Sequence, residues 1–182
     1  MTVLMGLDLS ARAAACMIVG THWDGQFSRV ATRTFGESLA KDATDLERAR
    51  RCELIADQIV GFAQGLLVTE AWIEGYAFSR HDSAHTIGEV GGVVRLELVR
   101  AGIAIHTANM GTARKLLLGK CPRKGAKVAA AQALRAAGSP AWTLDESDAF
   151  VCANLGLSEH AGAFCFATTP PPPEPKKRKA KP

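Results

Sequence analysis

Apolar residues in the first 35 positions fall in short runs, without helical spacing. "TVLMGLDLSA" ends at Asp8 and small residues and predicts a strand. "AACMIVGTHWDG" predicts a second strand with a turn at Asp24-Gly25, a dipeptide that suits a tight hairpin. "QFSRVATRTFG" alternates Phe27, Arg29, Ala31 and Arg33 with Ser28, Val30, Thr32 and Thr34, which predicts a third. Strands joined this closely imply an antiparallel meander. At Asp45 the spacing turns helical and remains so to about Gly65, with Leu46, Ala49, Ala56, Ile59 and Ala63 as the stripe. "VTEAWIEGYAF" returns to strand character. Helical spacing resumes from about Ser83 to Ala101, with Ile87, Val90, Val94, Leu98 and Ala101 on one side. Gly88, Gly91 and Gly92 weaken that helix and imply close approach of another backbone. "GIAIHTAN" predicts a strand, and "ARKLLLGKCPRKGAK" a basic segment looping around Pro122 and Gly125. "AKVAAAQALRAA" predicts a helix stopped by Gly138 and Pro140, and a last helix runs from about Asp145 to Leu157.

This order predicts an α/β fold: a mixed five-stranded sheet, three strands in a meander and two parallel and helix-linked, with helices on both faces. We expect one domain over residues 1–161. Residues 162–182 form a proline-rich basic tail, mostly disordered, because "TTPPPPEPKKRKAKP" favours extended polyproline and its charges repel.

Acids interrupt the apolar strands. Asp8 closes a strand that should lie centrally, and Glu74 sits within "AWIEGYAF", sharing a face with Trp72, Tyr76 and Phe78. A buried carboxylate needs a cation, and neither strand carries a lysine or arginine. "TLDESDAFVCANLG" places Asp145 and Asp148 three residues apart on one helix face. Acids at a helix start are also ordinary capping and dipole residues, so this stretch alone is ambiguous. Asp8, likewise, would suit a strand-end turn, and Glu74 a wet sheet edge. Four carboxylates together suit hard divalent ions such as Mg²⁺, and two ions about 4 Å apart can clamp an in-line phosphoryl displacement.

Charge distribution points to the substrate class. From Gly162 onward five bases face only Glu174, which accounts for the whole net charge of +4. Between Leu98 and Leu144 there is no acid, while Arg100, Arg114, Lys115, Lys120, Arg123, Lys124, Lys127 and Arg135 supply positive charge. A basic segment beside clustered acids implies a polyanion surface next to a cation site. The five cysteines, Cys16, Cys52, Cys121, Cys152 and Cys165, have no zinc spacing, which argues against a structural zinc and for a reducing compartment. With no long apolar run and no leader pattern, we expect a cytoplasmic protein of a bacterial or phage-infected cell, with no membrane partner. The histidines His81, His85 and His106 read as surface or turn residues, and Trp23, Trp72 and Trp142 as core.

Taken in order, these motifs resemble the RuvC family of Holliday-junction resolvases, within the ribonuclease-H-like superfamily, including its viral and phage members. The likeness runs from Leu4 to about Leu157 through "GLDLSAR", "WIEGYAF", "GEVGGVVRLELVRAGIAI", "ARKLLLGKCPRKGAKVAAAQAL" and "LDESDAFVCANL". It implies that Asp8, Glu74, Asp145 and Asp148 bind two Mg²⁺ ions, with Mn²⁺ as a substitute. It also implies that Arg114 and Lys127 contact DNA near the scissile phosphate, with Lys115, Lys120, Arg123 and Lys124 in the same basic segment. The implied activity is hydrolytic cleavage of four-way and other branched DNA by a homodimer, with the glycine-bearing helix near the dimer contact. The usual proline-glycine pair after the first aspartate is here Leu9-Ser10. The residue at the junction-inserting aromatic position is Ala77, which leaves Tyr76 or Phe78 to enter the junction.

Three other functions compete. An actin-like kinase would share the "GLDLSARAAACMIV" pattern but needs a second similar half, which 182 residues do not hold, so no nucleotide cofactor is expected. A non-catalytic DNA-binding module of the same fold and a ribonuclease H acting on RNA–DNA hybrids are the remaining alternatives. The tail "PKKRKAKP" resembles a nuclear import signal and equally suits a nonspecific phosphate grip, the reading adopted here. Deleting the chain from Thr168 should lower the salt slope of DNA binding by about one unit per lost phosphate contact, read from binding titrations at several salt concentrations. An unaltered slope would leave the tail without a DNA role.

Overall fold

Val3–Leu9 is buried along its whole length, as only a central strand covered on both faces can be. A computed structural model of the chain describes residues 3–10, 14–21, 27–36, 39–40, 42–75 and 83–161. Its elements are β1 (Val3–Leu9), β2 (Ala14–Thr21), β3 (Phe27–Phe35), α1 (Asp45–Gly65), β4 (Glu70–Glu74), α2 (Ser83–Arg100), β5 (Ala104–Ala108), α3 (Met110–Leu118), α4 (Ala126–Ala136) and α5 (Leu144–Ala161). The strands form one sheet in the order β3-β2-β1-β4-β5. Strand β1 pairs antiparallel with β2 and parallel with β4; β2–β3 is antiparallel and β4–β5 parallel. The Asp24-Gly25 turn and the tail lie outside the described residues.

Alternation along β1 sorts its side chains between two cores. Val3, Met5, Leu7 and Leu9 join Ile55, Ile59, Val90, Val94 and Leu98 under α1 and α2. Leu4 joins Trp72, Ala113, Leu134, Phe150 and Ala153 under α3, α4 and α5. Helices therefore cover both faces. None of the described helices is long and apolar enough to cross a membrane.

Helix α1 begins with a capping box: the Thr44 hydroxyl accepts from the Glu47 amide, and Glu47 Oε2 accepts from the Thr44 amide. Its buried stripe departs from the one expected. Leu46 and Ala49 are exposed, while Cys52, Ile55, Ala56, Ile59 and Ala63 are buried. Of the three α2 glycines, Gly91 is buried, and Gly88 and Gly92 depart from expectation. An added Cβ at Gly88 or Gly92 would meet nothing within 4 Å, so neither packs against another backbone among the described residues.

Helix α3 was not expected as a separate element. Its basic sequence looks loop-like, yet the Asn109 side chain accepts from the Thr112 amide, and Met110, Ala113 and Leu117 bury at helical spacing. Asparagine ahead of an i, i+3, i+7 apolar set was the available signal.

Helix α5 comes very close to the sheet at Gly6. A Cβ there would lie 1.8 Å from the Ala149 carbonyl oxygen and 2.6 Å from the Ala153 amide nitrogen. Backbone cannot yield as a side chain can, so Gly6, Ala149 and Ala153 together let α5 lie against β1. Gly6→Ala should therefore cost about 3 kcal/mol or more, measured by urea unfolding. An unchanged midpoint would refute this packing.

Candidate active site

Strands β1 and β4 run parallel with Gly6 beside Trp72 and Leu7 beside Ile73. Asp8 and Glu74 each follow by one residue, which sets them side by side at the carboxyl ends of the strands. The pleat that puts Leu4 and Trp72 under α5 also turns Asp8 and Glu74 to that face.

The start of α5 resolves the ambiguity of its acids. The Thr143 hydroxyl accepts from the Glu146 amide at 3.1 Å, and Glu146 Oε2 accepts from the Thr143 amide at 2.8 Å. The Ser147 hydroxyl donates to the Thr143 carbonyl. Capping is thus complete without Asp145 or Asp148, and both remain available for other bonds. The helix dipole still favours their negative charge. Thr143, Glu146 and the Thr32 hydroxyl, which donates to Glu146 Oε1 at 3.4 Å, went unrecognised in the sequence. The Thr143–Glu146 spacing of a capping box was the missed signal.

Asp8, Asp145 and Asp148 converge on one ammonium. Lys127 Nζ lies 2.8 Å from Asp8 Oδ2, 2.6 Å from Asp145 Oδ1 and 3.0 Å from Asp148 Oδ2. Arg114 donates through Nε to Asp148 Oδ1 at 3.1 Å and through Nη2 to Oδ2 at 2.6 Å. Asp8 is 6% exposed, and the Asp148 side chain 1%, so each needs these cations. Asp145 is mostly exposed. Burial alone would lower the Lys127 pKa, but bonds to Asp145 and Asp8 outweigh it and hold the ammonium above the ordinary lysine value. Burial likewise opposes, and the Asp148 bond reverses, the shift at Arg114, which ends above the usual arginine value.

Glu74 is the fourth acid of the group. Burial first, then its hydrogen bond with Asp8 and the charges of Asp8 and Asp148, push its pKa up to about 8. Its backbone is anchored by Arg95 of α2, whose Nη2 donates to the Glu74 carbonyl at 3.3 Å and whose Nη1 donates to Gly91 O at 3.1 Å. Arg95 was not anticipated; an arginine on the polar side of a helix gives no sign of which carbonyl it will reach.

The basic residues divide into two sets. Lys115, Lys120, Arg123 and Lys124 are exposed on α3 and the α3–α4 connection, apart from the acids. Arg114 and Lys127 point onto the carboxylates, whose buried charges attract the nearest cations. Tyr76 and Phe78 lie outside the described residues.

Among the described residues no three His, Cys, Asp or Glu side chains are arranged to hold a metal ion. Lys127 stands among the aspartates, its Nζ within hydrogen-bond distance of Asp8, Asp145 and Asp148. The donor set itself fits a hard cation: carboxylate oxygens from β1 and α5 already surround a single positive centre.

No protein-family model matches the chain, and no curated protein matches it by sequence. Its architecture does match solved structures. Thermus thermophilus RuvC superposes with a TM-score of 0.71 at 15% identity, over 88% of this chain and 97% of that one. The same enzyme in complex with Holliday junction substrate gives 0.70 at 14% identity with the same coverage. The fold is that of RuvC. The yeast mitochondrial Holliday junction resolvase Ydc2 is also similar, at TM-score 0.52 and 10% identity, over 89% of this chain and 84% of that one.

The raised Glu74 pKa sets a pH dependence. Between pH 4.5 and about 8 the folded protein keeps a proton that the unfolded chain releases, so stability falls as pH rises through that window and then levels. Glu74→Gln should flatten this slope in denaturant unfolding of metal-free protein at a series of pH values. An equal slope in the variant would contradict the assignment.

Proposed function

We propose that this chain is a divalent-metal-dependent endodeoxyribonuclease that cleaves four-way junctions and related branched DNA, acting as a homodimer. The observation that carries the reading is the convergence of Asp8, Asp145 and Asp148, with buried Glu74 beside them, at the carboxyl ends of β1 and β4 in a RuvC fold. Asp8, Glu74, Asp145 and Asp148 would hold two Mg²⁺ or Mn²⁺ ions. When bound, the ions would supply charge neutralisation at the phosphate and activation of water for in-line attack, leaving a 5′-phosphate and a 3′-hydroxyl.

The chain's own residues account for the remaining roles. Asp8, near the carboxyl end of the central strand β1 and fixed by buried neighbours, would be a ligand of the metal centre. Asp148 is held in one orientation by the bidentate Arg114. The exposed Lys115, Lys120, Arg123 and Lys124 lie on the α3–α4 side of the site and supply a phosphate-binding surface. Open space at Gly88 and Gly92, with Leu96 and Val99 exposed further along α2, supports that helix as the subunit contact. Tyr76 or Phe78 would enter the junction, and the basic tail would grip phosphate nonspecifically.

A second reading, a non-catalytic branched-DNA-binding module, is favoured by Lys127 filling the carboxylate group. A panel of four-way junction, flap, fork and linear duplex in Mg²⁺, with product positions read on both strands, separates the two. The nuclease reading expects symmetric nicks in the junction; binding without nicks supports the module. Asp8→Asn should reduce junction cleavage to background while leaving junction binding intact. Normal cutting by that variant would refute the assignment.

A further inference from the structure

Lys127 occupies a position that its own helix disfavours. Helix α4 opens at Gly125, whose φ of 70° and ψ of 17° give a left-handed turn, and its first turn carries no acid. A cation in that first turn faces the positive end of the dipole. Three carboxylates from two other elements offset that cost, at 2.6 to 3.0 Å from Nζ. A residue that breaks the local rule this way is held by the site, not by its helix.

The same oxygens cannot serve two cations at once. Mg²⁺ binds oxygen at about 2.0–2.1 Å and demands near-octahedral order, so the aspartates would have to close in on it. The ammonium now at their centre would then stand against a doubly charged ion. Arg114 is less suited to the exchange, since its planar fork is committed to Asp148 through two parallel bonds. Lys127 is better suited: its flexible stem is a third exposed, and it emerges beside the largely exposed Asp145.

We propose that Lys127 is a resident counter-ion that holds the carboxylates together in the metal-free protein and competes directly with divalent cations for them. Loading the site then requires its ammonium to swing out. This inference rests on the metal-dependent reading above. Metal affinity is set as much by the lysine that leaves as by the acids that stay, and the carboxylates remain paired when no ion is present.

The test is Mn²⁺ binding to DNA-free protein, followed by loss of the free-ion electron paramagnetic resonance signal. Lys127→Met should bind Mn²⁺ at least about tenfold more tightly than wild type, since no ammonium need be displaced. Arg135→Gln removes one exposed charge elsewhere on α4 and should change affinity less than about twofold. Equal tightening in both variants would reduce the effect to general charge and overturn the proposal. Binding by wild type with unchanged affinity in Lys127→Met would also overturn it, while leaving the metal site intact. Absence of Mn²⁺ binding in wild type and Lys127→Met alike would overturn the metal reading itself, and the inference with it. Should Lys127→Met fail to fold, wild type decides the question: the ¹³Cε resonance of Lys127 should move during Mg²⁺ titration with the midpoint of metal binding. A resonance that stays fixed while Mg²⁺ binds refutes the exchange.

Discussion

Carboxylates buried together need a positive charge among them or a retained proton, and the architecture around β1 supplies both. Asp8 arrives from the central strand, Asp145 and Asp148 from the first turns of α5, and the answering cations from α3 and α4. Losing one partner of such a buried group strands the others, at a typical cost of about 3–5 kcal/mol. The ion pairs therefore tie four separate elements at one point. They also explain why Arg114 and Lys127 face inward.

The rest of the fold brings those elements within reach. Gly6 removes the one side chain that would hold α5 off β1, and Ala149 and Ala153 present small residues to it. Gly156 does the same beneath the Trp72 indole, where a Cβ would lie 2.3 Å from Nε1. Helix α5 can then run close along the sheet and deliver its capped, acid-bearing start to the carboxyl end of β1. Packing and chemistry share the same residues: the strand parity that buries Leu4 and Trp72 also aims Asp8 and Glu74.

Much of this was legible in the sequence because period and burial agree. The span of α1, the helical character of α2 and the apolar run of β1 follow from spacing alone. The four acids stood out because each interrupts an apolar element or crowds another acid. What could not be read was orientation. Leu46 and Ala49 fit the helical stripe yet stay exposed, since spacing says nothing of where the neighbouring layer ends. Helix α3 was hidden by its basic residues, and Gly88 and Gly92 proved to face open space. For Arg114 and Lys127 the sequence gives charge but not direction, and only the assembled site shows that they turn to the aspartates. Residues beyond the described spans, Tyr76 and Phe78 among them, rest on the family resemblance alone.

The central claim is that carboxylates distant in the chain form one cation-binding centre, now shared with a lysine. The most direct measurement is an anomalous difference map from crystals grown in Mn²⁺. The account predicts strong peaks among the carboxylate oxygens of Asp8, Glu74, Asp145 and Asp148, with the Lys127 side chain turned away from them. Those oxygens still gathered on the ammonium, with no peak between them at saturating Mn²⁺, would contradict it.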